Sequence, residues 1–562
     1  MYAPIYPVKN PSDEERHEIL RNSLEAAGRP EDYEYIIKHL SPPEDITNIV
    51  AAGEMHGVKI GIIGGGVAGM AAAYELRKLG ADITILEASD DRIGGRVYTY
   101  YFDRNKKYYA EFGAYRIPVS HETTWHYINL FNLRTTSLTS PTRNNFLYVH
   151  NTRLRTSDSI EQYLYPKYEL SPQERATPWD ELMDYAFEYQ IRQLTPEVRA
   201  EMLQILPSYS SEYLPFLTKN LRQYLEDLGF SQGAISLLSG TNPLTGSYLN
   251  LSYNEVINED YTFDYRNIYS IDGGNVNLPM AFYQSFQEKK PSQYRNQPAS
   301  LLGTVCFQSG RYVTGIYQSA YRDKIVVRYR CKEEVRDFVD IFDYVICALP
   351  FSSLREVEIK PFFSNQKMQA IFEYNYLDAM KTAFLCNRRF WERKTDYGNI
   401  FGGISFTDLP IQSIFYPVDH VHMPENQLTS PEDPGVLLAS YNLYLDAVRL
   451  GNLDPLRRYQ VIRENVEEVH GLPRGFLNSI VEATKTVHWN AEPNFRGAFA
   501  SAIPSQKIRF NFCMLQPEFN NRVFFAGEHL STKHGWLQGA LYTGKAAANQ
   551  LATSFLSNGS SL

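Results

Sequence analysis

The sequence predicts an α/β fold, and two observations support this prediction. The first is the order strand, glycine-rich turn, helix, strand over residues 58–88, which has the length and order of a βαβ unit. The second is a set of later strand-like runs, at 311–319, 323–330, 342–350 and 521–528, separated by turn residues. We therefore expect a sheet assembled from segments that lie far apart in the chain.

Residues 1–57 precede this unit and predict a polar helical arm. Ser12 is a typical N-cap residue, and acidic residues follow it in the first turn. A second short amphipathic stretch, EDYEYIIKHL, ends at Ser41, which is followed by two prolines.

Two long blocks, 126–266 and 354–489, contain mixed helices, many aromatic residues and several loops. The simplest organisation is one nucleotide-binding domain with a second, α+β domain built from these two insertions. The nucleotide-binding domain would then consist of residues 58–125, 267–353 and 490–556. We expect the inserted domain to bind the substrate.

The chain has 562 residues and a formal net charge of −9. Its 43% hydrophobic and 21% charged residues are typical of a globular protein, and its length exceeds that of one ordinary domain. The acidic balance argues against nucleic-acid binding. Apolar runs are too short to span a membrane, and the N-terminal residues lack the apolar core of a secretion signal. We therefore expect a cytoplasmic protein that binds neither nucleic acid nor membrane.

The five cysteines are odd in number, scattered and without a CxxC pair, which excludes a disulfide scaffold and a zinc ribbon. His420 and His422 form an HxH pair in a loop. Because no third ligand lies nearby in the sequence, we expect no metal site.

The glycine-rich turn Gly64–Gly69 satisfies the GxGxxG pattern directly after a strand and directly before a helix. Gly64, Gly66 and Gly69 would permit a tight turn and a close approach of the backbone to a pyrophosphate at the helix N-terminus. Glu87 ends the next strand, where an acid would bind a ribose hydroxyl. The combination predicts a dinucleotide cofactor.

The stretch EASDDRIGGR, from Glu87 to Arg96, extends this pattern and resembles the flavin amine oxidase family. In that family the second glycine pair, here Gly94 and Gly95, and its arginine, here Arg96, lie along the pyrophosphate and ring of the flavin. The resemblance implies FAD rather than NAD as the cofactor, bound in a discontinuous Rossmann-like domain.

A second match lies near the C-terminus, where Val523–Glu528 has the character of a strand and opens into a small-residue helix. In the family this acid, here Glu528, hydrogen-bonds the ribityl chain, and the helix N-terminus faces the N1–C2=O edge of the flavin. The positive end of the helix dipole would stabilise the anionic reduced flavin. The resemblance adds further cofactor-binding residues, namely Ala88, Gly113, Ala114, Tyr115, Arg116, Val313, Trp489, Gly527, Gly535 and Trp536.

Several segments are similar to the L-amino-acid oxidase branch of this family. AEFGAYRIP contains Arg116, which by this resemblance would bind the substrate α-carboxylate through two parallel, charge-assisted hydrogen bonds. Tyr416, shortly after GGISFTDLP, would be the second ligand of that carboxylate. In HGW, the carbonyl of Gly535 would accept a hydrogen bond from the substrate amine, and Trp536 would form a wall of the site.

Lys381 and Trp489 complete the resemblance. Lys381 matches the lysine that holds a water against flavin N5, and it is the catalytic residue that we predict. Trp489 lies where family members place an aromatic residue beside the flavin. The monoamine oxidases attach FAD through a cysteine in this segment; since this chain has none there, we expect FAD to be non-covalent. Glu492 could reach a cationic substrate tail, although a loop acid is more often exposed.

The resemblance implies FAD-dependent oxidative deamination of an L-amino acid, with O₂ as the electron acceptor. Hydride transfer from Cα to flavin N5 would give an imino acid, which water hydrolyses to a 2-oxo acid and ammonia. The reduced flavin would then reduce O₂ to H₂O₂. Three alternatives stay open. These are an L-amino-acid 2-monooxygenase, which would use the same carboxylate clamp (the pair Arg116 and Tyr416), a polyamine or monoamine oxidase, and an inactive scaffold protein. Since relatives are commonly dimers, we expect a homodimer.

Overall fold

The computed structural model describes residues 7–559 except 139–143, 295–296, 321–322, 333, 335 and 419–429. His420 and His422, for which we predict no metal site, lie outside the described residues.

A five-stranded sheet forms the centre of the nucleotide-binding region, and all its neighbouring strands are parallel. Its strands are, in order across the sheet, Thr304–Gln308, Asp82–Leu86, Lys59–Ile63, Tyr344–Cys347 and Val523–Phe525. The central strands are apolar because both faces of the sheet are covered. The predicted α/β class, with a sheet drawn from distant segments, is confirmed.

The helix Val67–Arg77 follows the first strand of this sheet and is buried along its whole length. It packs against the C-terminal helix Leu537–Gly559. Gly544 makes this close contact possible, since a Cβ at that position would lie 2.2 Å from the carbonyl oxygen of Ala68. The glycine-rich turn is thus fixed between the sheet and two packed helices.

A four-stranded sheet lies beside the parallel sheet. Its order is Asp337–Phe342, Ile325–Cys331, Arg311–Gln318 and Glu358–Lys360, and only the last pairing is parallel.

A seven-stranded sheet contains strands from both predicted insertions. Its order is Val481–His488, Ala379–Cys386, Gly435–Leu443, Ser413–Phe415, Ile404–Thr407, Phe146–Val149 and Thr152–Arg155. Only the pairing of Ile404–Thr407 with Phe146–Val149 is parallel. The domain boundaries given above stay a prediction.

The remaining strands form small sheets. These are Ile117–Pro118, Ile268–Ile271 and Thr135–Ser137, the hairpin Thr99–Tyr101 with Tyr109–Glu111, and the pair Tyr376–Leu377 with Phe499–Ala500.

Short helices dominate the region 160–261. They are Ile160–Tyr163, Pro172–Ala176, Trp179–Ala186, Glu188–Arg192, Pro196–Ala200, Leu214–Thr218, Leu221–Asp227, Gln232–Thr241, Pro243–Gly246 and Asn254–Tyr261. Other helices are Glu122–Leu130, Asn277–Gln287, Phe351–Leu354, Asn365–Glu373, Tyr444–Gly451, Pro455–His470 and Phe512–Leu515. In the described part of the chain, no helix combines the length and apolar character needed to cross a membrane.

The predicted N-terminal arm consists of two helices, Asp13–Ala26 and Asp32–Leu40. Between them, the fully buried Arg29 donates hydrogen bonds to Asp32 Oδ2 at 2.9 Å and to the carbonyl of Tyr261 at 3.2 Å, and it forms an ion pair with Glu188. A buried charge is tolerated only with such partners. Arg29 therefore fixes the arm to the helical region 160–261.

Candidate active site

A cavity of about 820 Å³ runs from the glycine-rich turn to the seven-stranded sheet and the helical region 160–261. Its volume lies toward the upper end of the range for ligand pockets. All the predicted cofactor residues except Gly69 line it, namely Gly64, Gly66, Glu87, Ala88, Gly94, Gly95, Arg96, Gly113, Ala114, Tyr115, Arg116, Val313, Trp489, Gly527, Glu528, Gly535 and Trp536. Lys381 lines it as well.

The glycines of the turn serve two different purposes. Gly64 has a φ of +104°, which L side chains rarely adopt. A Cβ on Gly66 would have no neighbour closer than Gly95 Cα at 3.9 Å, so the backbone here is open to the cavity. Gly69 does not line the cavity: its Cβ would lie 2.2 Å from the Gly64 carbonyl oxygen. The predicted cofactor contact of Gly69 is therefore replaced by a packing role, in which it lets the helix close onto the turn.

Glu87 is held at the end of its strand by backbone donors. Its Oε2 accepts a hydrogen bond from the Gly65 amide at 2.7 Å, and Oε1 accepts one from the Ser89 amide at 2.8 Å. The carboxylate is thus fixed in the cavity wall next to the glycine-rich turn. This is the position that a ribose-binding acid requires.

After the edge strand of the same parallel sheet, Glu528 is also fixed by several donors. Arg96 Nη1 donates to Glu528 Oε1 at 2.7 Å, and the amides of Gly535 and Ala500 donate to the carboxylate at 3.0 and 3.1 Å. Burial opposes ionisation, but the adjacent Arg96 and these donors keep the pKa of Glu528 below its ordinary value. The helix Leu537–Gly559 begins here, so its positive end faces the same part of the cavity.

This arrangement fits a flavin dinucleotide. The open backbone at Gly66 would accommodate the pyrophosphate beside Gly95, Glu87 would bind the ribose, and Glu528 would bind the ribityl chain. Trp489 donates its indole N–H to the Phe112 carbonyl at 2.9 Å, which fixes its ring in the cavity wall. No cysteine of the described residues lines the cavity.

Lys381 is buried at the cavity wall on the strand Ala379–Cys386. Its Nζ donates to the carbonyl oxygens of Gly113 at 2.7 Å and Glu111 at 3.3 Å. Burial lowers the pKa of Lys381 to about 7; the positive Arg116 acts in the same direction and the Glu111 carboxyl opposes it. The Lys381 amine can therefore accept or release a proton near neutral pH.

Arg116 lies between two aromatic rings in the cavity. Its Cζ is 4.8 Å from the ring centroid of Phe415 and 5.3 Å from that of Tyr265. Within the residues that the structure describes, its guanidinium forms no hydrogen bond or ion pair. A half-buried arginine without an acidic partner is suited to bind an anionic ligand.

Tyr416 does not lie where the sequence predicts it. Its hydroxyl is 2.9 Å from Ser405 Oγ and 2.9 Å from His470 Nε2, and the side chain is outside the cavity. Phe415 faces the cavity instead, because successive residues of an extended chain point to opposite sides. The predicted contact of Tyr416 with a substrate carboxylate is therefore at odds with the structure.

Tyr441 occupies the cavity wall in place of Tyr416. It lies on the strand Gly435–Leu443, with the Lys381 Nζ 4.7 Å from its ring centroid. Within the described part of the chain, its hydroxyl forms no hydrogen bond. Burial raises the pKa of Tyr441 to about 12, against the opposing effect of nearby Arg116. A neutral hydroxyl near the arginine is therefore available to a ligand.

Of the remaining predicted substrate contacts, Gly535 and Trp536 line the cavity and Glu492 does not. Glu492 lies in the turn after Trp489 and is half-buried. The structure thus gives no support to a contact between Glu492 and the substrate tail.

Sequence reasoning missed Tyr441 and two further wall residues, Glu259 and Tyr265. The last two lie in the region 126–266, where the family resemblance is thin. Tyr441 had a signal, since it lies in the alternating run GVLLASYNL. The alternation predicts a strand but does not show which face of that strand lines the cavity.

A fixed glycine turn, two anchored carboxylates and an arginine free to bind an anion define a flavoenzyme that acts on a small molecule. The chain belongs to the family of flavin-containing amine oxidoreductases, whose model matches residues 67–552. The predicted family and the predicted class of enzyme, an oxidoreductase with a flavin, are confirmed.

Two relatives are similar over almost the whole chain. An L-amino-acid oxidase of Sistrurus catenatus edwardsii is 27% identical over 535 residues, which cover 94% of this chain and 92% of the relative. The L-amino-acid oxidase BmooLAAO-I of Bothrops moojeni is 27% identical over 536 residues, which cover 94% and 95%.

Two solved structures share the fold. Putrescine oxidase bound to putrescine has a TM-score of 0.64 and 16% identity, over 87% of this chain and 98% of that one. Cyclohexylamine oxidase from Brevibacterium oxydans has a TM-score of 0.62 and 15% identity, over 89% and 99%.

Proposed function

We propose that this protein catalyses the oxidative deamination of an L-amino acid to a 2-oxo acid, ammonia and H₂O₂. The proposal is supported by relatives that are named L-amino-acid oxidases over 94% of the chain. The observation that carries it concerns Arg116. Its guanidinium lies in the cavity and forms no ion pair or hydrogen bond with any described residue. An oxidase of plain amines has no carboxylate to place there.

The protein's own side chains bind and orient the substrate. Arg116 binds the carboxylate through paired hydrogen bonds, and the Tyr441 hydroxyl donates a third. The Gly535 carbonyl accepts a hydrogen bond from the substrate amine. Phe415 and Trp536 enclose the bound molecule and exclude water. A bound flavin supplies the hydride acceptor and passes the electrons to O₂.

Lys381 acts on protons. Its neutral amine accepts a proton at Nζ from the substrate ammonium, directly or through a bound water, as the substrate enters the cavity. The substrate amine must be neutral to stabilise the developing imine, and a buried amine with a pKa of about 7 is suited to this transfer.

We propose FAD as the flavin, held without a covalent bond. Glu87 and the open backbone at Gly66 support a dinucleotide, and no cysteine of the described residues lines the cavity. Heating the purified protein should release all the yellow colour into the supernatant, where chromatography against FAD and FMN identifies it. Colour that stays with the precipitated chain would contradict the proposal.

A peroxide-coupled screen with all twenty L-amino acids tests the activity, with putrescine and benzylamine as controls. We expect turnover of amino acids and not of the plain amines. Flavin reduction with an amide product would instead identify an L-amino-acid 2-monooxygenase, which shares the carboxylate clamp. Homodimer assembly and a cytoplasmic location stay predictions; light scattering of the holoenzyme tests the first.

Replacement of Arg116 tests directly whether this residue binds the substrate carboxylate. We expect Arg116→Ala to lower kcat/KM by about 100-fold or more, the scale for removing one partner of a buried charge pair. The variant should remain yellow, since the pyrophosphate and ribose contacts lie elsewhere. Arg116→Lys, which keeps the charge and loses the paired geometry, should be intermediate. Wild-type kinetics for Arg116→Ala would exclude this site.

A further inference from the structure

Glu259 lies on the helix Asn254–Tyr261 and connects two aromatic residues of the cavity wall. Its Oε1 accepts a hydrogen bond from Trp536 Nε1 at 2.8 Å. Its Oε2 accepts one from the Tyr265 hydroxyl at 2.7 Å. One carboxyl group thus joins the C-terminal HGW segment to the helical region.

Both of these aromatic residues lie next to the substrate-binding groups. The Tyr265 ring lies 5.3 Å from Arg116 Cζ, so it supports one side of the guanidinium. The ring centroids of Tyr265 and Trp536 are 5.8 Å apart, and His121 packs edge-on against Trp536 at 5.0 Å. A change in the position of Glu259 is therefore transmitted to the arginine and to the wall.

The carboxyl group is costly to keep in this wall. Burial raises the pKa of Glu259 to about 8, nearby Asp264 adds to this effect, and the two hydrogen bonds oppose it. A half-buried carboxyl group without such bonds would destabilise the fold. An apolar side chain of the same length would avoid this cost, so the two hydrogen bonds point to a function in orientation.

We propose that Glu259 is a positioning residue, which sets the orientation of Arg116 and Trp536 toward the substrate by fixing Tyr265 and the Trp536 indole. This inference rests on the proposed function, because it takes Arg116 as the carboxylate ligand. Glu259 itself touches neither the carboxylate nor the flavin in this scheme.

Two variants separate hydrogen bonding from the ability to ionise. Glu259→Gln cannot ionise but keeps a carbonyl acceptor for Trp536, and its amide can donate to the Tyr265 hydroxyl. Glu259→Met has a similar length and neither bond. We expect Glu259→Met to raise KM for the amino acid about tenfold with a smaller change in kcat, and Glu259→Gln to stay within about threefold of wild type.

A binding measurement provides a readout without turnover. Benzoate, an unreactive carboxylate, is titrated into the holoenzyme, and its Kd is taken from the change in visible flavin absorption. Glu259→Met should weaken benzoate binding about tenfold, in step with KM. Tyr265→Phe removes one of the two bonds and keeps the ring, so an intermediate weakening is expected. If Glu259→Met does not fold, as judged by flavin content, Tyr265→Phe decides.

The outcomes are distinct. Wild-type KM and benzoate Kd in Glu259→Met, or in Tyr265→Phe where it must decide, overturn the inference. So does a defect in Glu259→Gln as large as that in Glu259→Met, because ionisation of the carboxyl group, and not its hydrogen bonds, would then be responsible. If wild type oxidises no amino acid, the proposed function fails, while the benzoate titrations still decide the role of Glu259.

Discussion

Among single residues, Lys381 is a cavity residue whose protonation state changes in the physiological range. Its amine is buried, and its pKa of about 7 means that it is neutral above that pH and charged below it. The Glu111 carboxyl lies beside it, and burial raises the pKa of this acid to about 7. Two neighbouring groups with similar pKa values titrate as a pair.

We expect the rate of flavin reduction to rise with pH through about 7, because only the neutral Lys381 amine accepts a proton. Stopped-flow measurement of anaerobic reduction from pH 5.5 to 9 follows this step. Lys381→Met should be slower and should lack the rise. Lys485→Met, on the neighbouring strand and outside the cavity, should keep it. An unchanged pH profile in Lys381→Met would assign the titration to another group.

Tyr441 and Tyr416 provide a matched pair, since each loses only a hydroxyl on replacement by phenylalanine. Tyr441→Phe should raise KM several-fold, because one hydrogen bond to the substrate carboxylate is lost, with little change in thermal stability. Tyr416→Phe should leave KM unchanged and lower Tm, because Ser405 and His470 lose a buried partner. Kinetics and thermal melts of both variants check this. The reverse pattern would restore Tyr416 as the carboxylate ligand.

The elements that hold the cofactor depend on glycines in two separable ways. At Gly66 a methyl group would enter the open cavity, whereas at Gly69 it would collide with the Gly64 carbonyl. Gly66→Ala should therefore lose flavin while the melting temperature of the flavin-free protein stays at the wild-type value. Gly69→Ala should also lower that temperature, by overpacking that costs about 1–3 kcal/mol. Flavin content by absorbance and thermal melts of the stripped proteins test this; equal melting temperatures would contradict it.

How far the sequence predicts an element depends on whether the signal is local. The glycine turn, Glu87 and the strand before Glu528 follow from short patterns, and the structure brings them to one cavity. The face presented by Tyr416 depends on the parity of a strand, which one residue of offset reverses. Glu259 and Tyr265 meet Trp536 only through tertiary packing between segments nearly three hundred positions apart. No local pattern reports that contact.

At the scale of the whole molecule, the N-terminal arm stabilises the helical region through buried charges. Arg29 is fully buried and bonds Asp32, Glu188 and the Tyr261 carbonyl. Arg29→Ala leaves Glu188 without this partner and Asp32 with Arg199 as its remaining arginine, and we expect a loss of about 3–5 kcal/mol in the free energy of unfolding. The exposed Arg21 is the control; among the described residues its side chain contacts Tyr33, through a hydrogen bond to the hydroxyl and a position over the ring.

Thermal and urea unfolding of both variants measure the difference. Arg21→Ala should change stability by less than about 0.5 kcal/mol. Equal, small effects would mean that the arm is dispensable for the fold.

The helix Asn254–Tyr261 is bound to the N-terminal arm by the hydrogen bond from Arg29 to the Tyr261 carbonyl, and its Glu259 faces the cavity. The parallel sheet, in contrast, contains no strand from the region 160–261. In the proposed function, flavin and substrate share one cavity, whose wall comes partly from the parallel sheet and partly from the helical region. On this proposal, substitutions within these helices would change the preferred amino acid and leave the flavin-binding residues unchanged. Diversification of such an enzyme would accordingly concentrate in residues 160–261, less than a fifth of its chain.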